Sequence, residues 1–93
     1  MQAELLVRER RVLEVGFVEA MVWGLPEPLS SSTHSLKYRL AYIVEGECVL
    51  RYDNESGKGD HRRIGGKETT YMFISVDQLL DDFLADVAGW KGQ

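Results

Sequence analysis

Between Glu4 and Leu25 the chain reads ELLVRERRVLEVGFVEAMVWGL, a segment rich in Val, Leu, Phe and Trp with a central glycine, Gly16. The glycine marks a boundary between two strands. Beyond it Phe17, Glu19, Met21 and Trp23 alternate with Val18, Ala20 and Val22. A period of two with both faces largely apolar predicts a strand inside a sheet, not at its edge. The segment PEPLSSSTHS, 26 to 35, holds both prolines and a serine/threonine cluster, and predicts an exposed connection. A second hairpin follows. LKYRLAYIV and ECVLRYDN flank Glu45-Gly46, where the glycine supplies the positive φ of a tight turn. An uninterrupted register puts Leu36, Tyr38, Leu40, Tyr42, Val44, Val49, Arg51 and Asp53 on one face, and Lys37, Arg39, Ala41, Ile43, Cys48, Leu50, Tyr52 and Asn54 on the other. At the open end Lys37, Tyr38 and Arg39 lie opposite Tyr52, Asp53 and Asn54, so polar groups converge there.

Gly57, Gly59, Gly65 and Gly66 then indicate a loop, after which TTYMFI, 69 to 74, reads as another strand because β-branched and aromatic residues dominate it. Ser75-Val-Asp-Gln78 is a capping box that opens a helix over 76 to 88. Val76, Leu79, Leu80, Phe83, Leu84, Val87 and Ala88 form its apolar stripe, and Asp77, Asp81, Asp82 and Asp86 its acidic side. Gly89 offers a stop. These elements predict an α+β fold, a mainly antiparallel β-sheet with a C-terminal amphipathic helix packed on one face, in a single domain over 1–93.

With 93 residues the chain has material for one modest core. Its 44% hydrophobic and 28% charged content is that of a soluble globular domain. No apolar run reaches membrane-spanning length, and the N-terminus shows no secretory h-region, so a cytoplasmic location with no membrane contact is expected. The single cysteine, Cys48, rules out an intrachain disulfide and reads as a small buried hydrophobe. A net charge of −4 and a pI near 5.1 argue against holding nucleic acid by bulk electrostatics. Any such contact must be local.

The candidate chemistry lies in RYDNESGKGDHRR, 51 to 63. A plain solvated turn accounts for Asp53-Asn54 and the glycines. The functional reading rests on convergence, since Gly57 and Gly59 let the loop fold back and bring His61 and Arg62 toward the open end of the hairpin. Internal RNA cleavage needs a base for the 2′-hydroxyl, an acid for the leaving oxygen and cations for the phosphorane, with no metal or other cofactor. His61 fits acid or base work. Arg51, Arg39, Lys37 or Arg62 fits the phosphate, and Asp53 fits orientation of His61 or an arginine. Asp53, Glu55, Asp60 and His61 keep a metal-dependent nuclease open as an alternative, although their spacing matches no standard metal motif. His34, in the serine-rich loop, is a secondary candidate. Trp23 and Trp90 read as core and helix-packing residues.

K-Y-R at 37 to 39, R-Y-D-N at 51 to 54, G-K-G-D-H-R at 57 to 62 and Q-L-L-D-D-F-L-A-D-V at 78 to 87 together resemble the TumE family of toxins from bacterial toxin–antitoxin systems. The resemblance implies a small toxin neutralised by a helix-turn-helix antitoxin, with RNA as substrate and with room for a homodimer. The convergence of polar groups at the open end of the hairpin and in the loop puts His61, Arg51, Asp53 and Tyr38 forward as catalytic, and Lys37, Arg39, Tyr52, Asn54, Lys58 and Arg62 as substrate-binding. A non-enzymatic toxin that sequesters a partner is the alternative from another class. The family pattern commonly continues D-H-R-H, whereas Arg63 follows Arg62 here, so the loop offers no second histidine.

Overall fold

The computed structural model describes residues 3–27, 34–54 and 59–90. Six strands form one antiparallel sheet in chain order, β1 (Glu4–Val12), β2 (Phe17–Gly24), β3 (Leu36–Val44), β4 (Glu47–Asp53), β5 (His61–Ile64) and β6 (Lys67–Thr70). The helix α1 (Val76–Gly89) follows. It begins as the sequence predicts, with the Ser75 side chain accepting from the Gln78 N–H at 3.1 Å. Half of the capping box is absent, because the Gln78 amide reaches Asp82 Oδ1 at 2.8 Å instead.

The helix packs Leu79 and Phe83, both buried, against Val18, Ala20 and Val22 of β2, Leu40 and Tyr42 of β3, and Leu50 and Tyr52 of β4. The β3–β4 turn has Glu45 at φ 52° and Gly46 at φ 78°, the paired positive angles of a two-residue hairpin. Ile43 pairs with Cys48, but Tyr42 pairs with Leu50, so Val49 is one residue too many. This bulge overturns the uninterrupted register and exchanges the faces of β4 beyond it. Leu50 and Tyr52 turn under the helix beside Leu40 and Tyr42, where large apolar bodies are most stabilising. Arg51 and Asp53 accordingly stand on the other face, beside Arg39 and Ala41, and not beside Tyr38.

Two further expectations need correction. The strand assigned to 69–74 ends at Thr70, and the sheet instead gains His61–Ile64, taken from the sequence as loop. Tyr71 and Phe73 still point inward while Met72 and Ile74 are exposed, so the alternation persists in a segment that leaves the sheet to reach the helix. Cys48 is exposed rather than buried, since it lies next to the turn before the bulge.

Tyrosines lock the helix down. Tyr52 donates to Asp86 and accepts from Arg62 Nη1 at 3.1 Å, and Tyr71 donates to Asp82 at 2.6 Å. Burial, reinforced by the Asp86 bond, pushes the Tyr52 phenol up to about 12, while the bonds from Tyr71 and Gln78 hold Asp82 below the usual carboxylate range. A folded pKa above the unfolded value of about 10 means that the unfolded chain loses this proton first. The stability from Tyr52 is therefore intact below pH ~10 and drains away as pH rises toward 12, by roughly 2–3 kcal/mol for a two-unit shift. Urea midpoints measured from pH 9 to 12 should fall more steeply for the wild type than for Tyr52→Phe. Parallel curves would contradict this account.

Candidate nucleic-acid interface on the helix-free sheet face

On the face away from the helix, one row crosses the sheet through Met21, Arg39, Asp53, His61 and Thr70, each the register partner of the next. Asp53 is the hub of this row. Its Oδ2 lies 3.2 Å from Arg51 Nε, and its Oδ1 lies 2.8 Å from His61 Nε2. Asp53 and His61 are both buried, so the carboxylate is held by its neighbours Arg51 and His61, not by bulk water. The approach to His61 is an ion-pair contact without hydrogen-bond alignment, which leaves Oδ1 short of a donor among the described residues. The other ring nitrogen, Nδ1, lies 3.0 Å from the Gly59 carbonyl. Nδ1 thus bonds the backbone, and Nε2 is turned toward Asp53 without bonding it.

Arg51 is anchored through Nε, which leaves the Nη edge of its guanidinium for another anion. Arg63 is its partner across β4 and β5, and Arg39 is the partner of Asp53 across β3 and β4. Lys37 on β3 and Arg8 and Arg10 on β1 extend the same face, which also carries the acids Glu19, Asp53 and Glu68. Six arginines and lysines against three carboxylates make this face basic in a chain of net charge −4. The segregation supplies a local attraction for phosphate that the whole-chain charge conceals.

The remaining expected site residues go elsewhere. Tyr38 is fully buried on the helix side and donates to Asp60 Oδ2 at 2.7 Å. Burial, then that bond, drives its phenol far above the ordinary tyrosine range, which disfavours a role as base. His34 Nδ1 accepts from the Leu36 N–H at 3.3 Å, so its proton sits on Nε2 and points to the same Asp60 oxygen at 2.7 Å. His34 also stacks on Phe73, centroid to centroid 4.0 Å. This cluster ties the start of β3 to the residue just before His61. Tyr52 and Arg62 belong to the helix-docking network. Asn54, fully buried, accepts from the Tyr38 N–H at 3.1 Å and donates to the Leu36 carbonyl at 2.7 Å. Its amide continues the β3–β4 ladder one step past the end of β4. Lys58 lies outside the described residues.

The donor set weighed for a metal divides between the faces: Asp53 and His61 face away from the helix, whereas Asp60 turns toward Tyr38. Glu55 lies outside the described residues. Among the described residues no three His, Cys, Asp or Glu side chains are grouped to hold a metal ion. No helix among them is long and apolar enough to cross a membrane. Trp23, read from the sequence as a core residue, instead stands with Phe17 on the basic face outside the helix-side core. Their alternation with Val18, Ala20 and Val22 was the available signal, but it does not say which face the helix covers.

No curated protein and no solved structure matches the chain. The family model described as Toxin TumE matches residues 3–91, nearly the whole length. The chain belongs to the TumE family and is a toxin of a toxin–antitoxin system.

Proposed function

We propose that this toxin is a metal-independent endoribonuclease that works on the helix-free face of the sheet. The observation that carries the reading is Asp53 holding Arg51 and His61 together amid Arg39 and Arg63. In the proposed reaction the 2′-oxygen attacks the adjoining phosphorus and the 5′-oxygen leaves, giving a 2′,3′-cyclic phosphate and a 5′-hydroxyl end. Arg51, assisted by Arg39 and Arg63, stabilises the charge that builds on the phosphorane. His61 acts as the acid, giving a proton to the leaving 5′-oxygen as its contact with Asp53 or Gly59 gives way, and the 2′-hydroxyl proton passes to water. Asp53 is a positioning residue for both. Arg63, where the family pattern commonly has a histidine, contributes a permanent cation in place of a second titrating group.

The partner in this reading is a helix-turn-helix antitoxin whose acidic side chains cover the basic face, a small toxin having little structure through which to transmit a remote contact. Growth arrest on expression without antitoxin tests the proposal. Arrest should vanish with His61→Ala and with Arg51→Ala, while far-UV circular dichroism stays that of the wild type. A toxin that sequesters a partner through another surface would arrest growth in all three forms, and that result would sink the proposal.

A further inference from the structure

Phe17, Met21 and Trp23 line β2 on the face away from the helix, at alternate positions interrupted by Glu19, and none of the three belongs to the core cluster. Large apolar side chains that a sheet leaves outside its core call for a task. Each aromatic ring here carries a cation: the Lys37 ammonium lies 5.1 Å from the Trp23 centroid, and the Arg10 guanidinium lies 4.4 Å from that of Phe17. Between them Met21 is flanked in register by Arg8 and Arg39. Rings interleaved with cations on a basic surface are the arrangement that binds single-stranded nucleic acid, with bases stacked on rings and phosphates held by the cations.

We infer that Trp23 with Lys37 forms a base-stacking subsite that selects single-stranded RNA for the cleavage centre at Arg51 and His61. The inference rests on the nuclease reading given above and adds the class of substrate and a binding residue. Trp23 lies one same-face step along β2 from the row that contains His61, and three strands away from it across the sheet. At about 4.8 Å between strands and 3.3 Å per residue, the two Cα atoms are about 16 Å apart. The stacked base is therefore not one of the pair that flanks the scissile phosphate. A duplex keeps its bases stacked inside and cannot offer one to the ring, so duplex RNA should be a poor ligand.

The test separates binding from cutting. Trp90 packs edge-on against Tyr42 beside the helix, so Trp90→Phe leaves Trp23 as the single fluorescent reporter of the helix-free face. A single-stranded oligodeoxynucleotide, which lacks the 2′-hydroxyl and cannot be cut by this route, should quench that fluorescence, because stacking tolerates either sugar. In the otherwise wild-type chain, Trp23→Ala should weaken binding of this probe and of single-stranded RNA by about 5- to 150-fold, and Trp23→Phe should recover much of it. Circular dichroism of each variant identifies any that fails to fold, and the fluorescence response decides the matter without them. Wild-type affinity in folded Trp23→Ala, unquenched Trp23, or duplex binding as tight as single-strand binding would overturn the subsite. Quenching by single strands in a protein that cuts no RNA would leave the subsite standing and remove the nuclease reading alone.

Discussion

Arg51→Ala is expected to lower the rate of RNA cleavage by about 10²–10³-fold, the scale on which single transition-state donors are lost. The guanidinium is already fixed by the 3.2 Å contact of its Nε with Asp53, so it does not have to be ordered during the reaction. Arg51→Lys should recover little, because an ammonium cannot hold Asp53 and grip a phosphate with a planar fork at the same time. The side chain is more than a third exposed but its partner Asp53 is buried, so the stability of the variant is measured beside its rate. Rates measured on folded protein therefore read chemistry. Cleavage within about threefold of wild type would remove Arg51 from the centre.

Gly16→Ala should be more destabilising than the same change at Gly24, Gly46, Gly65, Gly66 or Gly89. Gly16 has φ +77°, and an added Cβ would fall 2.1 Å from the backbone oxygen of Ile43 and 3.1 Å from Val44 Cγ2. The β1–β2 connection cannot simply move away, because Tyr42 donates to the Val15 carbonyl at 2.8 Å and the Leu13 N–H bonds the Gly16 carbonyl at 3.0 Å. The left-handed backbone costs an alanine about 1–2 kcal/mol, and displacing packed backbone adds about 1–3 more. That is a large share of the roughly 5–14 kcal/mol a domain of this size holds. Gly46→Ala is the control, with φ +78° and nothing within 4 Å of its added Cβ. It should lose only the left-handed part. Equal shifts in the denaturant midpoint for the two variants, at unchanged slope, would show that the Ile43 contact is not what matters.

The parts of the fold that were legible in the sequence are those where a local preference and the tertiary answer agree. Alternation marked β2 and β3, Gly46 marked the tight turn from β3 to β4, and Ser75 marked the start of α1. The Val49 bulge left no such mark. It exists because Leu50 and Tyr52 are better buried under the helix than Arg51 and Asp53, a choice that depends on where the helix lies. His61–Ile64 reads as charged loop on its own and becomes a strand through pairing with β4 and β6. For the same reason the association of Asp53 with His61 was open to sequence reading, whereas the assignments of Tyr38, Tyr52 and Asn54 did not anticipate their burial. Asn54 looked like a turn residue and completes a ladder; Trp23 looked like core and lies on the basic face.

The chemistry of the cut ends tests the account most directly. Purified toxin is incubated with a single-stranded RNA in excess chelator, and the products are analysed for their termini, with Arg51→Ala protein in parallel. The account requires 2′,3′-cyclic phosphate and 5′-hydroxyl ends from the wild type, strongly depleted in the variant. Intact RNA, or 3′-hydroxyl and 5′-phosphate ends that form only in a parallel reaction without chelator, would contradict it.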